Sequence, residues 1–154
     1  MPRVEDSFDD GYLISDDPAR LDRDVVHGWL AGESYWTKGI PRDVFERALD
    51  NSLCAGLYAP DGSQAGFARA VTDRATFAYI GDVWIAEGRR GAGLGKRLMA
   101  WLLDHPDLRG LRTKLLLTAD AHSLYEPFGF ERPSDAMVER LMIDSRPASE
   151  IYGP

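Results

Sequence analysis

Apolar residues recur along this chain at two spacings, and the switch between them marks out the elements. Leu21, Val25, Val26, Trp29 and Leu30 lie three or four apart, which predicts a helix over 18–31, opened by Asp16-Asp17-Pro18 and ended by Gly32. Val44, Phe45, Ala48 and Leu49 repeat the pattern behind Pro41, so Ser34-Tyr35-Trp36 falls on the connection between two helices. Tyr12-Leu13-Ile14 reads as a short strand ahead of them. Runs rich in β-branched and aromatic residues come next: Leu53–Tyr58, a Pro60-Asp61-Gly62 turn, Gln64–Val71, and a long strand over 75–86. Leu94, Leu98, Trp101 and Leu102 return to helical spacing up to Pro106. Leu115-Leu116-Leu117-Thr118 is continuously apolar, which predicts a central strand buried on both faces. A brief helix near 120–127 and a last strand, Met137–Ile143, complete the pattern.

At 154 residues the chain supports one core. Residues 1–10, with Glu5, Asp6, Asp9 and Asp10, are expected to be a mobile acidic lead-in, and 11–154 a single domain. Eighteen Lys and Arg against 25 Asp and Glu leave a net charge of −7, which disfavours nucleic acid as a partner. The single cysteine, Cys54, excludes an intrachain disulfide framework and a thiolate zinc site, and suits a reducing compartment. His27, His105 and His122 lack ligand-like spacing, so no metal is expected. No apolar run approaches a membrane span, and the start lacks a signal peptide's apolar stretch. The expectation is a cytoplasmic protein with no membrane partner.

The chemistry concentrates after the long strand, in Arg90-Gly91-Ala92-Gly93-Leu94-Gly95-Lys96. Glycines at alternate positions let the backbone approach a ligand where a helix begins, and the first N–H groups of a helix are free donors at the positive end of its dipole. The segment is therefore a candidate phosphate cradle. It is not a Walker A loop, because Arg90 stands where the first glycine is needed and Arg97 where Ser or Thr is needed. Nor does the glycine spacing fit a dinucleotide fingerprint.

The remaining pattern, R-x-x-G-x-G behind the strand residues Val83-Trp84-Ile85, resembles the acyl-coenzyme A loop of the GNAT superfamily of N-acetyltransferases. Leu124-Tyr125-Glu126-Pro127-Phe128-Gly129-Phe130 resembles that superfamily's later L-Y-x-x-x-G-F segment, and the element order matches over about 11–143. The resemblance implies an α+β fold, a mixed and mainly antiparallel sheet of about six or seven strands flanked by about four helices. It also implies acetyl transfer from acetyl-CoA to a primary amine by direct attack in a ternary complex. The amine is expected to belong to a small molecule. A protein N-terminus or lysine, or a silent acyl-CoA binding module, stands as the alternative.

By the same resemblance, backbone groups of Val83, Trp84 and Ile85 bind the pantetheine arm, and Arg90, Gly91, Ala92, Gly93, Leu94, Gly95 and Lys96 bind the pyrophosphate. Tyr125 aligns with the proton donor to the coenzyme A sulfur. Asp82 reads either as the base that takes the amine's proton or as an acid at a solvated strand face or in a buried polar contact. Tyr35 and Trp36 are the acceptor-binding candidates, with Trp36 equally able to seal the core between the helices. Asp120 is expected to cap the short helix. Relatives in the superfamily are often dimers, which makes a homodimer an open expectation.

Overall fold

The computed structural model describes residues 3–153. Six strands form one sheet in chain order: β1 (Glu5–Ser7), β2 (Leu13–Ser15), β3 (Leu53–Tyr58), β4 (Gln64–Thr72), β5 (Phe77–Ile85) and β6 (Thr113–Leu116). Every neighbouring pair is antiparallel except β5 and β6, which run parallel. The helices are α1 (Arg23–Gly28), α2 (Arg42–Asp50), α3 (Leu94–Leu103), α4 (His122–Tyr125), α5 (Asp135–Arg140) and α6 (Ala148–Ile151). No helix among the described residues is long and apolar enough to cross a membrane.

The alternation of side chains along β3 and β4 divides the core between the two faces of the sheet. On one face Leu53, Ala55, Leu57, Ala68 and Ile80 pack against Leu94, Leu98, Met99 and Leu102 of α3. On the other, Cys54 and Phe67 meet Val26, Leu30, Phe45 and Leu49 from α1 and α2. Both faces of the central strands are therefore dry, which explains why every residue of β3 is buried.

Local chemistry reshapes several sequence expectations. The first predicted helix opens as a turn of 3-10 helix, Pro18–Arg20, where Asp17 accepts from the Ala19 N–H; α1 then starts afresh with Asp22 accepting from Val25. Its last turn widens into a π-helical stretch, Trp29–Glu33, that carries the chain towards the 34–39 connection. The acidic lead-in contains β1, which the sequence pattern does not signal. Val4 N–H donates to Asp16 Oδ1 at 2.9 Å, and His105 Nε2 meets Asp16 Oδ2 at 2.8 Å. His105 Nδ1 accepts from the Asp107 N–H, which leaves Nε2 as the donor. One carboxylate thus ties the start of the chain to the far end of α3.

Two predicted strands are corrected. Leu115 and Leu116 lie not at the centre of the sheet but on its edge strand, and 117–118 lie beyond its end; Leu115 and Leu117 are exposed, because α3 covers only the face that Leu116 joins. Residues 137–143 form no strand. Ser134 accepts from the Met137 N–H and Asp135 sits in the positive first turn, so a local cap converts the start of that apolar run into α5. The remaining residues, Leu141–Ile143, are irregular and exposed.

Asp16→Ala leaves the buried His105 donor and the Val4 N–H without their acceptor, and a loss of about 1–3 kcal/mol is expected. Denaturant unfolding measures it as a lower midpoint with an unchanged slope.

Candidate active site

β5 and β6 pair from Phe77 opposite Thr113 to Ile80 opposite Leu116, and there the pairing ends. On its other side β5 stays bonded to β4 as far as Ile85. Residues 81–85 therefore present one free backbone edge. Along that edge lies a cavity of about 920 Å³, walled by the 33–37 segment, β5, the residues after β6, and Tyr125.

The free edge begins at a bulge. Phe67 pairs with Trp84 and Arg69 with Gly81, so β5 carries one more residue than β4 between these positions. The extra length is absorbed at Asp82, whose φ of 55° is left-handed, at a cost of roughly 1–2 kcal/mol for a residue with a Cβ. Its side chain turns back into the protein. Arg69 Nε donates to Asp82 Oδ2 at 2.7 Å, and Trp36 Nε1 donates to Asp82 Oδ1 at 2.8 Å. Arg69 also donates to Ser52 Oγ. Both oxygens of the carboxylate are thus engaged, one in a largely buried ion pair and one by the indole N–H, and the carboxylate fastens Trp36 at the cavity.

The 34–39 connection is held from below as well. Ser34, 1% exposed, donates to the Leu30 carbonyl, and the Gly39 N–H donates to Ala31. Tyr35 packs edge-on against Trp36 at 5.0 Å between centroids, and Trp36 lies 5.9 Å from Trp84. Trp36 lines the cavity instead of sealing the two helices, while Tyr35 keeps 64% of its surface exposed. Arg90 stacks on the outer face of Trp84 at 4.7 Å and donates from Nε to the Ile85 carbonyl.

At the other end of the free edge stands the start of α3. Gly93 has a φ of 76°, α3 has no side-chain cap, and its first helical bond runs from Arg97 N–H to Gly93 O. The N–H groups of its first turn are consequently open donors. A Cβ built on Gly91 or Gly93 meets no protein atom within 4 Å, so the space above the loop belongs to no neighbouring side chain. Gly95 and Arg90 themselves line the cavity. A cradle open to solvent, free of side chains and facing a strand with an unpaired edge fits a long ligand that carries phosphate at one end.

Tyr125 reaches the cavity from α4 and is 8% exposed. Burial raises its phenol above the usual tyrosine range, with smaller contributions from Tyr35 and Asp120, so it stays protonated at neutral pH. Asp120 does not cap α4; Ala121 occupies that position with its N–H on Thr118 Oγ1, and Asp120 lines the cavity. Cys54 is remote from this chemistry. Burial pushes its thiol up to about 12, and its Sγ contacts the Leu49 carbonyl.

The model of the acetyltransferase (GNAT) family matches residues 23–130, which is most of the chain and includes every residue that lines this cavity except Ser145. The chain belongs to the GNAT acetyltransferases. As a member of that family it is an acetyl-CoA dependent acetyltransferase with the α+β fold the glycine loop implies. A candidate acetyltransferase of Gibberella zeae is 34% identical over 137 residues, covering 74% of this chain and 75% of its own. A solved structure of a candidate GNAT acetyltransferase from Xanthomonas campestris pv. campestris is 41% identical, with a TM-score of 0.87 over 93% of this chain and 97% of its own. A third, from Deinococcus radiodurans R1, shares the fold at 23% identity, with a TM-score of 0.70 over 94% of each chain.

The cavity thus brings together Tyr35, Trp36, Asp82, Val83, Trp84, Ile85, Arg90, Gly95 and Tyr125. The sequence pattern did not single out Glu33 and Arg69, and it gave Asp120 a capping role; all three line the cavity too. A signal existed for Arg69: it and Asp82 are single, opposite charges within apolar strands that pair.

Cys54 is expected to resist a disulfide-exchange reagent at mildly alkaline pH in the folded protein and to react fully once denatured. Chromogenic thiol titration with and without denaturant checks this.

Proposed function

We propose that the protein acetylates the primary amine of a small molecule by direct attack in a ternary complex. The observation that carries this reading is the free edge of residues 81–85, which leads from the open first turn of α3 to Tyr125. Acetyl-CoA, when bound, supplies an acyl group already activated as a thioester. The balanced change is an ammonium plus acetyl-CoA giving an N-acetylamine, free coenzyme A and one proton: a C–N bond forms and a C–S bond breaks.

The chain's own residues divide the work. First-turn N–H groups around Gly91–Lys96 hold the pyrophosphate, with the outer guanidinium nitrogens of Arg90 beside them. Backbone groups of Val83, Trp84 and Ile85 bind the arm as a sheet edge binds a strand, and an N–H there polarises the thioester carbonyl. The buried Tyr125 phenol donates its proton to the departing sulfur and regains one from solvent. Alignment of the reactants supplies the greater share of the rate, on the order of 7–11 kcal/mol of barrier in favourable cases. Tyr35 and Trp36 cover the acceptor.

Asp82 takes a different part from that of a proton acceptor. With both oxygens committed to Arg69 and Trp36, it positions the indole that closes the acceptor end. The wall that the 33–37 segment adds to one side of the cavity supports a small acceptor over a protein one.

Thiol release from acetyl-CoA across an amine library tests the reading directly; coenzyme A binding without turnover of any amine would reduce the protein to a silent binding module. Tyr125→Phe is expected to lower kcat by roughly 10²-fold with near-unchanged cofactor affinity. Gly93→Val is expected to weaken coenzyme A binding by at least about tenfold, because the new side chain fills the cradle; calorimetry with coenzyme A alone reads it.

A further inference from the structure

We infer that the acceptor is a cationic alkyl or arylalkyl amine that carries no phosphate or carboxylate. This rests on the acetyl-transfer reading above and adds the charge class of its second substrate. The argument starts from direction. β5 runs along the cavity from Tyr79 to Ile85, and Arg90 and the start of α3 lie beyond Ile85. The other end, where Arg69 and Trp36 bind Asp82 and where Glu33 and Tyr35 lie on the same segment as Trp36, is left for the acceptor.

The charges at that end are unequal. Arg69 is neutralised by Asp82 at 2.7 Å, with the two side chains 17% and 6% exposed. Among the described residues lining the cavity the other cation is Arg90, which is stacked on Trp84 at the cofactor end. Glu33 and Asp120 form no ion pair among the described residues. A phosphate or carboxylate on the acceptor would face these two carboxylates with no free cation to answer it. Like charges at about 4 Å cost roughly 1–4 kcal/mol between water and a protein surface, enough to reject such a substrate.

An ammonium meets the reverse situation. Asp120 and Tyr125 line the same cavity, which puts a carboxylate on the wall that the reacting end shares, where the amine's charge must be held before its proton leaves. The exposed Tyr35 ring and the fastened Trp36 indole add faces on which a cation or an aromatic body gains about 0.5–2 kcal/mol. Carboxylates and aromatic rings therefore select together for positive charge and an apolar body.

The test compares kcat/KM for phenethylamine and an alkyl diamine with that for an acidic amino acid and an aminosugar phosphate, by thiol release. A preference of roughly 10²-fold for the first pair is expected. Equal or better use of an anion-bearing amine would overturn the charge class and leave acetyl transfer standing; no turnover with any amine would overturn both. Glu33→Gln should raise KM for the cationic amines roughly tenfold, with a smaller change in kcat, and narrow the preference. KM should also rise with ionic strength in the wild type and less so in Glu33→Gln. A KM unmoved by the substitution and by salt would remove Glu33 from recognition and overturn the electrostatic basis of the proposal.

Discussion

Where two parallel strands stop pairing, their backbone groups must find water or a ligand, and the site grows out of that requirement. β5 and β6 part after Ile80 and Leu116 while β5 remains bonded to β4, so one edge of residues 81–85 stays open inside a folded domain. The bulge at Asp82 turns this edge, and the Arg69–Asp82 pair holds the bulge in its left-handed conformation. Breaking such a pair by removing one partner costs on the order of 3–5 kcal/mol, more than the strain it sustains. The same carboxylate reaches Trp36. Sheet geometry, buried charge and the wall of the cavity are consequently one arrangement.

The cavity has opposite electrical ends although the chain as a whole is acidic. Open N–H groups at α3, with Arg90 nearby, make one end suited to anions. Glu33 and Asp120 make the other suited to cations, because the one arginine close to them is already paired. In the acetyl transfer proposed above, a phosphorylated carrier and an ammonium would enter at different ends and meet near Tyr125. Direct attack asks for such an arrangement, since nucleophile and thioester must be held together in one orientation.

Much of this was legible in the residues. Alternating glycines behind an apolar strand marked the loop that opens α3, because few residues other than glycine tolerate the left-handed conformation of Gly91 and Gly93. Tyr125 and the aromatic pair Tyr35 and Trp36 were found by motif and by position on a connection, and all three line the cavity. Periodicity located α2, α3 and β3 to β5. It misplaced 115–118, where three leucines look alike whether one face is covered or two, and 137–143, where the Ser134 cap outweighed an apolar run with no strand to pair with. β1 has no apolar signature at all; its backbone pairing with β2 creates it.

Asp82 marks the boundary between the two kinds of information. Its place in an apolar strand advertised a special role, and the family to which the chain belongs could be read from the loop that follows. Whether the carboxylate would move a proton or hold a neighbour depended on Arg69, thirteen positions earlier, and on Trp36, on another segment altogether. Local order fixes propensity, caps and the conformational freedom of glycine, so the sequence by itself determined α2, α3, β3 to β5 and the glycine loop that opens α3. Which charges neutralise each other, which edge stays open and which face of the sheet is dry follow from contacts between distant residues, and only the tertiary structure decided those.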